Sequence, residues 1–492
     1  MRCLPVVPCY LGVDIGTSSL KGVVCTEAGR IIAEVHTPSN ISNPLPGYYE
    51  VDVPTVWRGG FLRLLSQLEP SILGSITSVC ISSVCASFAP VDESLNPLHP
   101  AVLYGIDCRA QDQVDRLNEK WGQALEQRVG CKFSTHSAIP KMLWFKENKQ
   151  DIYRRTRYFL ESNNLITSWL TGKVAWDYPT AAGTQLLDLK NKTYPVDLLQ
   201  DLDISIDKFP PLRPPFSILG YVTEKASQET RLKEGIPVMV GACDINAESM
   251  AIGTVFPGDF TAVYGSTLSI LYVVDSYVFI TGFITGASLL EGTYRIGGAT
   301  SSGGRYLEWV KSIVKIPEED QEEPSISTPT GLFMIPYTYG ARSPFHVPQA
   351  KILWYGMSGA TAPSTLWKAA KESLGYELAE ILEIICSKVS PPRIIHSVGG
   401  LTADSTLMQI VSDITGYDQI VHTHLSAAYG DALIAMMAFE DISSVMQKTD
   451  VKEYQKGGKR VSPIPETHNQ YKELFHYYKG LSQIARVFHS KR

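Results

Sequence analysis

A short apolar run, a turn of glycine and hydroxyl residues and a second apolar run occur near the start of the chain and again past its midpoint. Residues 10–15 lead through Gly16-Thr17-Ser18 into residues 20–26, and residues 260–264 lead through Gly265-Ser266-Thr267 into residues 269–274. Runs of this length bounded by such turns read as β-hairpins. The turn Glu27-Ala28-Gly29 and residues 30–37 extend the first hairpin into a meander. Helical patterns follow both copies: Trp57, Phe61, Leu64, Leu65 and Leu68 after Pro54, and Tyr306, Trp309, Val310 and Ile313 in the second half. A chain of 492 residues exceeds one hydrophobic core. The repeat therefore predicts a duplicated α/β architecture divided at residues 247–256, with domains 1–250 and 251–492. The proline-rich segment 209–215, just before that division, reads as a stiff surface loop.

The net charge of −6 argues against a nucleic-acid partner and leaves a small molecule as the expected ligand. Nine cysteines without a CxxC pair suit a reducing cytoplasm. The opening residues lack the blocks of a signal peptide, and the apolar stretch 277–290 is too short to span a bilayer, so a cytoplasmic protein without membrane association is expected. The acidic run 317–324 reads as a solvated loop.

Three places concentrate chemistry. At the first turn Gly16 permits close approach of backbone N–H groups to an anion, Thr17 and Ser18 add donors, Lys21 adds charge, and Asp14 is suited to hold Mg²⁺ through its water shell. An ordinary hairpin turn with a capping aspartate has the same local pattern. The second, at Asp244, follows a strand expected at residues 238–241, next to the domain division. A carboxylate there can take a proton from a substrate hydroxyl, or cap the helix that follows. The third is a strand at residues 393–398 that ends in Gly399-Gly400. A helix begins there at Ser405 with Leu407, Ile410, Val411 and Ile414 on one face, and Gly416 closes it. Such a strand–glycine–helix junction is where α/β folds seat a nucleotide. His422 and His424 lack a third ligand nearby and read as ordinary imidazoles.

Gly12-Val-Asp14-Ile-Gly16-Thr17-Ser18-Ser19-Leu-Lys21 resembles the first phosphate loop of the FGGY carbohydrate kinases, the group that holds xylulokinase, glycerol kinase, ribulokinase and gluconokinase. Lys141-Met-Leu-Trp144-Phe-Lys-Glu147-Asn148 resembles half of a family signature whose other half departs at His136 and Ala138. Gly241-Ala-Cys-Asp244 resembles the catalytic-base motif, and Gly265-Ser266-Thr267 the second phosphate loop. Tyr339-Gly340-Ala341-Arg342-Ser343-Pro344 resembles a further turn, with Ala341 in place of a glutamate. Val398-Gly399-Gly400 and Ala428-Tyr-Gly430-Asp-Ala432 resemble the adenosine-binding elements. The matches run in family order over nearly the whole chain.

This resemblance implies two ribonuclease-H-like domains of the actin, hexokinase and Hsp70 superfamily closing over a cleft. It implies an ATP- and Mg²⁺-dependent kinase for a small sugar or polyol, with a ketopentose such as xylulose expected and a homodimer among the possible states. Asp244 is then the base and Asp14 the metal anchor. Gly16, Thr17, Ser18, Lys21, Gly265, Ser266 and Thr267 contact phosphate, while Gly399, Gly400 and the helix from Ser405 hold adenosine. The sugar pocket departs from the family pattern. Residues 84–88 replace its polar residues and leave Ser87 as the main hydrogen-bonding group. Tyr104 stands where a stacking tryptophan is usual, and Asp107 and Arg109 keep an Asp-x-Arg pair with altered spacing. Ile245 separates Asp244 from Asn246, and Asn163 and Asn164 replace a Lys-Asp pair. A glycerol or sugar-acid kinase, or a weakly catalytic sugar and ATP sensor of the same fold, are the competing readings.

Overall fold

The computed structural model describes residues 8–314, 328–422, 426–449, 451 and 458–490. Residues 1–7, the acidic run 317–324 and His424 lie outside these. The chain forms two compact units, one of Met1–Val255, Gly286–Thr293 and Leu425–Tyr454, the other of Phe256–Thr285, Tyr294–His424 and Gln455–Arg492.

Each unit is built on a seven-stranded sheet with the same strand logic. In the first, Cys9–Ile15, Ser19–Thr26 and Ile31–Pro38 form an antiparallel meander. Ile76–Ser83 lies parallel to the first of these, followed outward by Pro237–Met239 and then antiparallel Ile218–Tyr221. In the second, Phe260–Tyr264, Leu268–Val274 and Tyr294–Ala299 form the meander. Ile395–Val398 lies parallel to the first of these, followed by Gln419–Val421 and antiparallel Lys459–Val461. The repeat read from two hairpins thus extends to the order of six strands in each sheet.

Apolar side chains drive this arrangement. Trp57, Phe61, Leu64 and Leu65 are buried against Leu11, Val13 and Ile81 in the first core. Asp52 caps the turn that opens this helical segment, accepting from the Thr55 N–H at 3.1 Å. The second core joins Tyr306, Leu307 and Val310 to Ile270, Leu374 and Leu407. Burying each such side chain is worth about 1.5–3 kcal/mol.

Three sequence readings change. The expected strand at residues 238–241 is broken. Gly241 has φ +87°, and a Cβ there would lie 2.2 Å from the Ile81 carbonyl, so the chain turns before Ala242–Cys243 re-pairs with Ser82 and Ser83. The helix Ala427–Met436, read as part of the adenosine side of the second domain, belongs to the first unit, with every residue buried. A Cβ at Gly12 would lie 2.0 Å from the Ala428 carbonyl, and one at Gly430 would lie 1.8 Å from the Ala247 carbonyl. Such backbone approach is open only to glycine. The proline-rich segment is also more ordered than a loop, since Leu212–Arg213 pairs in parallel with Trp176–Asp177.

Among the described residues no helix is long and apolar enough to cross a membrane, and no disulfide links the cysteines.

Candidate active site

In the first unit three parallel strand ends converge. Asp14 is in register with Ser82, Ala242 with Ser82 and Cys243 with Ser83, so Asp244 emerges at the sheet edge that carries Asp14. Ligands of α/β sheets bind outside such carboxyl ends. The turn after Asp14 closes through a hydrogen bond from the Gly16 N–H to the Ser19 carbonyl at 3.1 Å. Ser18 and Lys21 are exposed, while Gly16 and Thr17 are partly so.

Asp244 is the first residue of the helix Asp244–Ile252, and Cys243 holds the cap position without a capping side-chain bond. An Asp244 carboxylate oxygen accepts from the Ile245 N–H at 2.8 Å, so Asp244 supports the helix start while retaining partial exposure. Asp14 is 8 % exposed, and its Oδ1 has no hydrogen-bond partner. Burial, with Asp244 adding to it and Lys21 opposing it, raises the Asp14 carboxyl to about 7. Glu248 rises to about 8, through burial and then the charges of Asp244 and Asp14. Asp431 is pushed well above the usual range by burial, although it accepts from the Ser82 N–H at 3.1 Å and the Ser82 hydroxyl at 2.6 Å. A buried, unpartnered carboxylate oxygen among further acids fits a hard divalent cation, and oxygen donors are the ligands Mg²⁺ takes. Neither Glu248 nor the inward role of Asp431 was read from the sequence. The i, i+4 spacing of Asp244 and Glu248, which share a helix face, was the available signal for Glu248.

The residues expected to hold sugar divide differently. The Asp107 carboxylate accepts from the Tyr49 N–H at 2.7 Å and from Arg109 Nε and a terminal nitrogen at 2.9 and 2.8 Å. Arg109 also pairs with Glu50 at 2.9 Å and lies over the rings of Tyr48 and Trp144, at 4.4 and 5.0 Å. Both side chains are buried and bonded to each other as an internal brace. The Ser87 N–H donates to Glu161 at 2.8 Å, and its hydroxyl oxygen accepts from the Tyr104 N–H at 3.2 Å, which leaves the segment 84–88 with less capacity than expected. Asn246 is buried, its amide oxygen accepting from the Cys243 thiol at 2.7 Å. Tyr104 stays partly exposed beside His136, with ring centroids 5.8 Å apart. The signature Lys141 is fully buried and donates to the carbonyls of Ala86, Leu103 and Tyr104, so it braces the two segments that precede and follow Ser87. Asn163 and Asn164 are 0 % and 1 % exposed, and none of their amide atoms has a hydrogen-bond partner.

In the second unit Gly265-Ser266-Thr267 sits among glycines. A Cβ at Gly303 would lie 2.7 Å from Thr267 Cα, and one at Gly399 would lie 2.5 Å from the Tyr264 carbonyl. The Gly304 N–H donates to the Gly265 carbonyl at 2.9 Å. Gly399 and Gly400 are exposed, as is Ser405 at the start of the helix Ser405–Thr415. Asp404 caps that helix through the Leu407 N–H at 3.0 Å, and Gly416 ends it at φ +74°. Lys371 pairs with Asp404 at 2.7 Å. His422 stacks on His396 with ring nitrogens 3.0 Å apart, and burial lowers both to about 4, as suits neutral structural imidazoles. Among the described residues no three of His, Cys, Asp and Glu converge as a direct metal-ligand set.

Family models match both halves: residues 9–251 match the N-terminal domain of the FGGY family of carbohydrate kinases, and residues 261–439 its C-terminal domain. A xylulose kinase of Staphylococcus xylosus is 25% identical over 488 residues, covering 96% of this chain and 99% of that protein. The crystal structure of xylulose kinase from Rhodospirillum rubrum superposes with a TM-score of 0.88 at 22% identity, covering 98% of this chain and 100% of that one. Plasmodium falciparum glycerol kinase with ADP gives 0.85 at 19% identity, covering 97% and 98%.

Proposed function

The chain belongs to the FGGY family of carbohydrate kinases, and on that premise we propose that it phosphorylates a ketopentose such as xylulose, with Asp244 as the base. The observation that supports this reading is the convergence of Asp244, Asp14 and Lys21 at one sheet edge, beside a turn with exposed hydroxyls.

In this reading the acceptor hydroxyl attacks the terminal phosphorus of ATP while Asp244 takes its proton. The new oxygen–phosphorus bond forms as the bond to the bridging oxygen breaks, and ADP leaves. A hydroxyl is a weak acid, so a carboxylate within reach contributes roughly 10²–10⁴ in rate. Phosphoryl transfer otherwise demands alignment and neutralisation of spreading negative charge. Lys21 and the donors of Thr17 and Ser18 meet that demand in the first unit, and the Gly265-Ser266-Thr267 turn of the second unit carries the same kinds of donor. Gly399, Gly400 and the helix from Ser405 hold the adenosine side. Asp14 would hold Mg²⁺, which when bound with ATP offsets phosphate charge.

In this reading Tyr104, Asp244 and the remaining donor of the Ser87 hydroxyl face the sugar, while Asp107 and Arg109 are engaged with each other and with Glu50. The acceptor therefore has to be found by screening hydroxyl patterns. The test measures ADP release from Mg·ATP over ketoses, polyols and sugar acids, with the product's mass as a second readout. A ketopentose that gains the mass of one phosphate supports the reading. Glycerol or a sugar acid as the best acceptor would replace the substrate, and ATP binding without transfer to any acceptor would favour a sensor.

A further inference from the structure

Glu248 is one helical turn beyond Asp244 and is absent from the family motifs carried by this chain. We propose that Glu248 is a third carboxylate of the cation site, steadying the water shell of the ion that Asp14 anchors. The inference rests on the kinase reading of this site and adds a residue to it.

Placement carries the argument. In the helix Asp244–Ile252 positions 244 and 248 project from the same face, one turn apart. That helix is locked to the first strand by backbone contact on both sides of one buried helix, at Gly430 against Ala247 and at Gly12 against Ala428. Asp14 stands two residues beyond Gly12 on that strand. Glu248 lies close enough to Asp14, Asp244 and Lys21 to feel the charge of all three. Among these four groups three are acids and one is basic, so the full ionised set is left with two unmatched negative charges. Asp14 points to what is missing: it is 8 % exposed, and its Oδ1 meets no donor. A buried carboxylate oxygen is ordinarily satisfied, and a cation's coordinated water would satisfy it.

The spacing decides how the ion is held. Among the described residues no three acids approach as direct ligands. Mg²⁺ dehydrates reluctantly and commonly keeps several waters, so carboxylates around it act through those waters. Glu248 is then a positioning residue: it accepts from a coordinated water and restrains where the ion sits. Residues in that outer layer commonly change metal affinity by 10–100-fold.

The experiment titrates Mn²⁺, as a spin-active substitute, into the full chain saturated with ADP, and reads free Mn²⁺ by electron paramagnetic resonance. Glu248→Gln should weaken Mn²⁺ binding by about tenfold, and Glu248→Asp by less. Asp14→Asn in parallel should weaken it at least as much. Thermal melts in EDTA report folding, and Glu248→Asp carries the test if the glutamine variant does not fold. Mn²⁺ affinity within about twofold of the parent for both Glu248 variants, with Asp14→Asn weakened, would overturn the role of Glu248 alone. Unchanged affinity in Asp14→Asn as well would overturn the cation site itself.

Discussion

In the first hairpin the penultimate residue of the leading strand is Asp14, paired across the sheet with Lys21; in the second that place is taken by Val263, paired with Ser269. The backbones match, strand for strand, and so does the device of a tight turn carrying hydroxyls. What differs is charge. The first unit gathers Asp14, Asp244, Glu248 and Asp431 near one sheet edge, and burial raises the carboxyls of Asp14, Glu248 and Asp431. Around the second turn, Gly303 and Gly399 pack so closely that a Cβ would lie 2.7 Å from Thr267 Cα and 2.5 Å from the Tyr264 carbonyl. Duplication thus supplied one scaffold twice, with different charge in the two copies. In the proposed assignment the first unit does the proton and metal chemistry, and the second holds the nucleotide.

Four substitutions or conditions test that division. Asp244→Asn should lower turnover by roughly 10²–10⁴ and leave ADP affinity unchanged, as read by steady-state kinetics and calorimetry. Near-normal activity would remove Asp244 from the base role. Asp14→Val makes the first hairpin resemble the second. It should cost roughly 10–100-fold in turnover at fixed Mg²⁺ and shift the Mg²⁺ activation curve upward. An unmoved curve would contradict the anchor.

Gly399→Ala forces a side chain into the Tyr264 carbonyl from a backbone at φ +109°. It should weaken ADP binding about tenfold, while turnover at saturating ATP changes little. A matching fall in turnover would blur the division of labour.

The smallest effect is on stability. The Asp14 carboxyl is raised to about 7, so the folded chain keeps a proton that the unfolded chain releases at ordinary aspartate values. Its contribution to folding is fully present below the unfolded value and is lost as pH rises through about 7. In metal-free buffer the parent should therefore lose on the order of 1–3 kcal/mol between pH 4 and 8 through this group. Asp14→Asn should flatten that part of the profile, and parallel melting curves would contradict the shift.

What the sequence revealed and what it hid follow one physical line. The hairpins, the helix closed by Gly416 and the strand ending at Gly399 were legible because periodicity and turn chemistry are local. Asp14 and Asp244 were legible because each sits in a short motif. Asp431 was not, since its partner Ser82 lies 349 residues away and its helix returns to the unit that the chain had left. That Glu50, Tyr48 and Trp144 surround Arg109 was not legible either, because only the fold brings them together. The bond from the Tyr104 N–H to the Ser87 hydroxyl was hidden for the same reason, as only the fold brings the two together.

The most direct test of the central claim compares Asp244→Asn and Gly399→Ala side by side, measuring ADP affinity and acceptor-dependent turnover at saturating ATP for each. The account predicts that the first keeps affinity and loses turnover, while the second loses affinity and keeps turnover. Loss of nucleotide affinity in Asp244→Asn with turnover retained would contradict it.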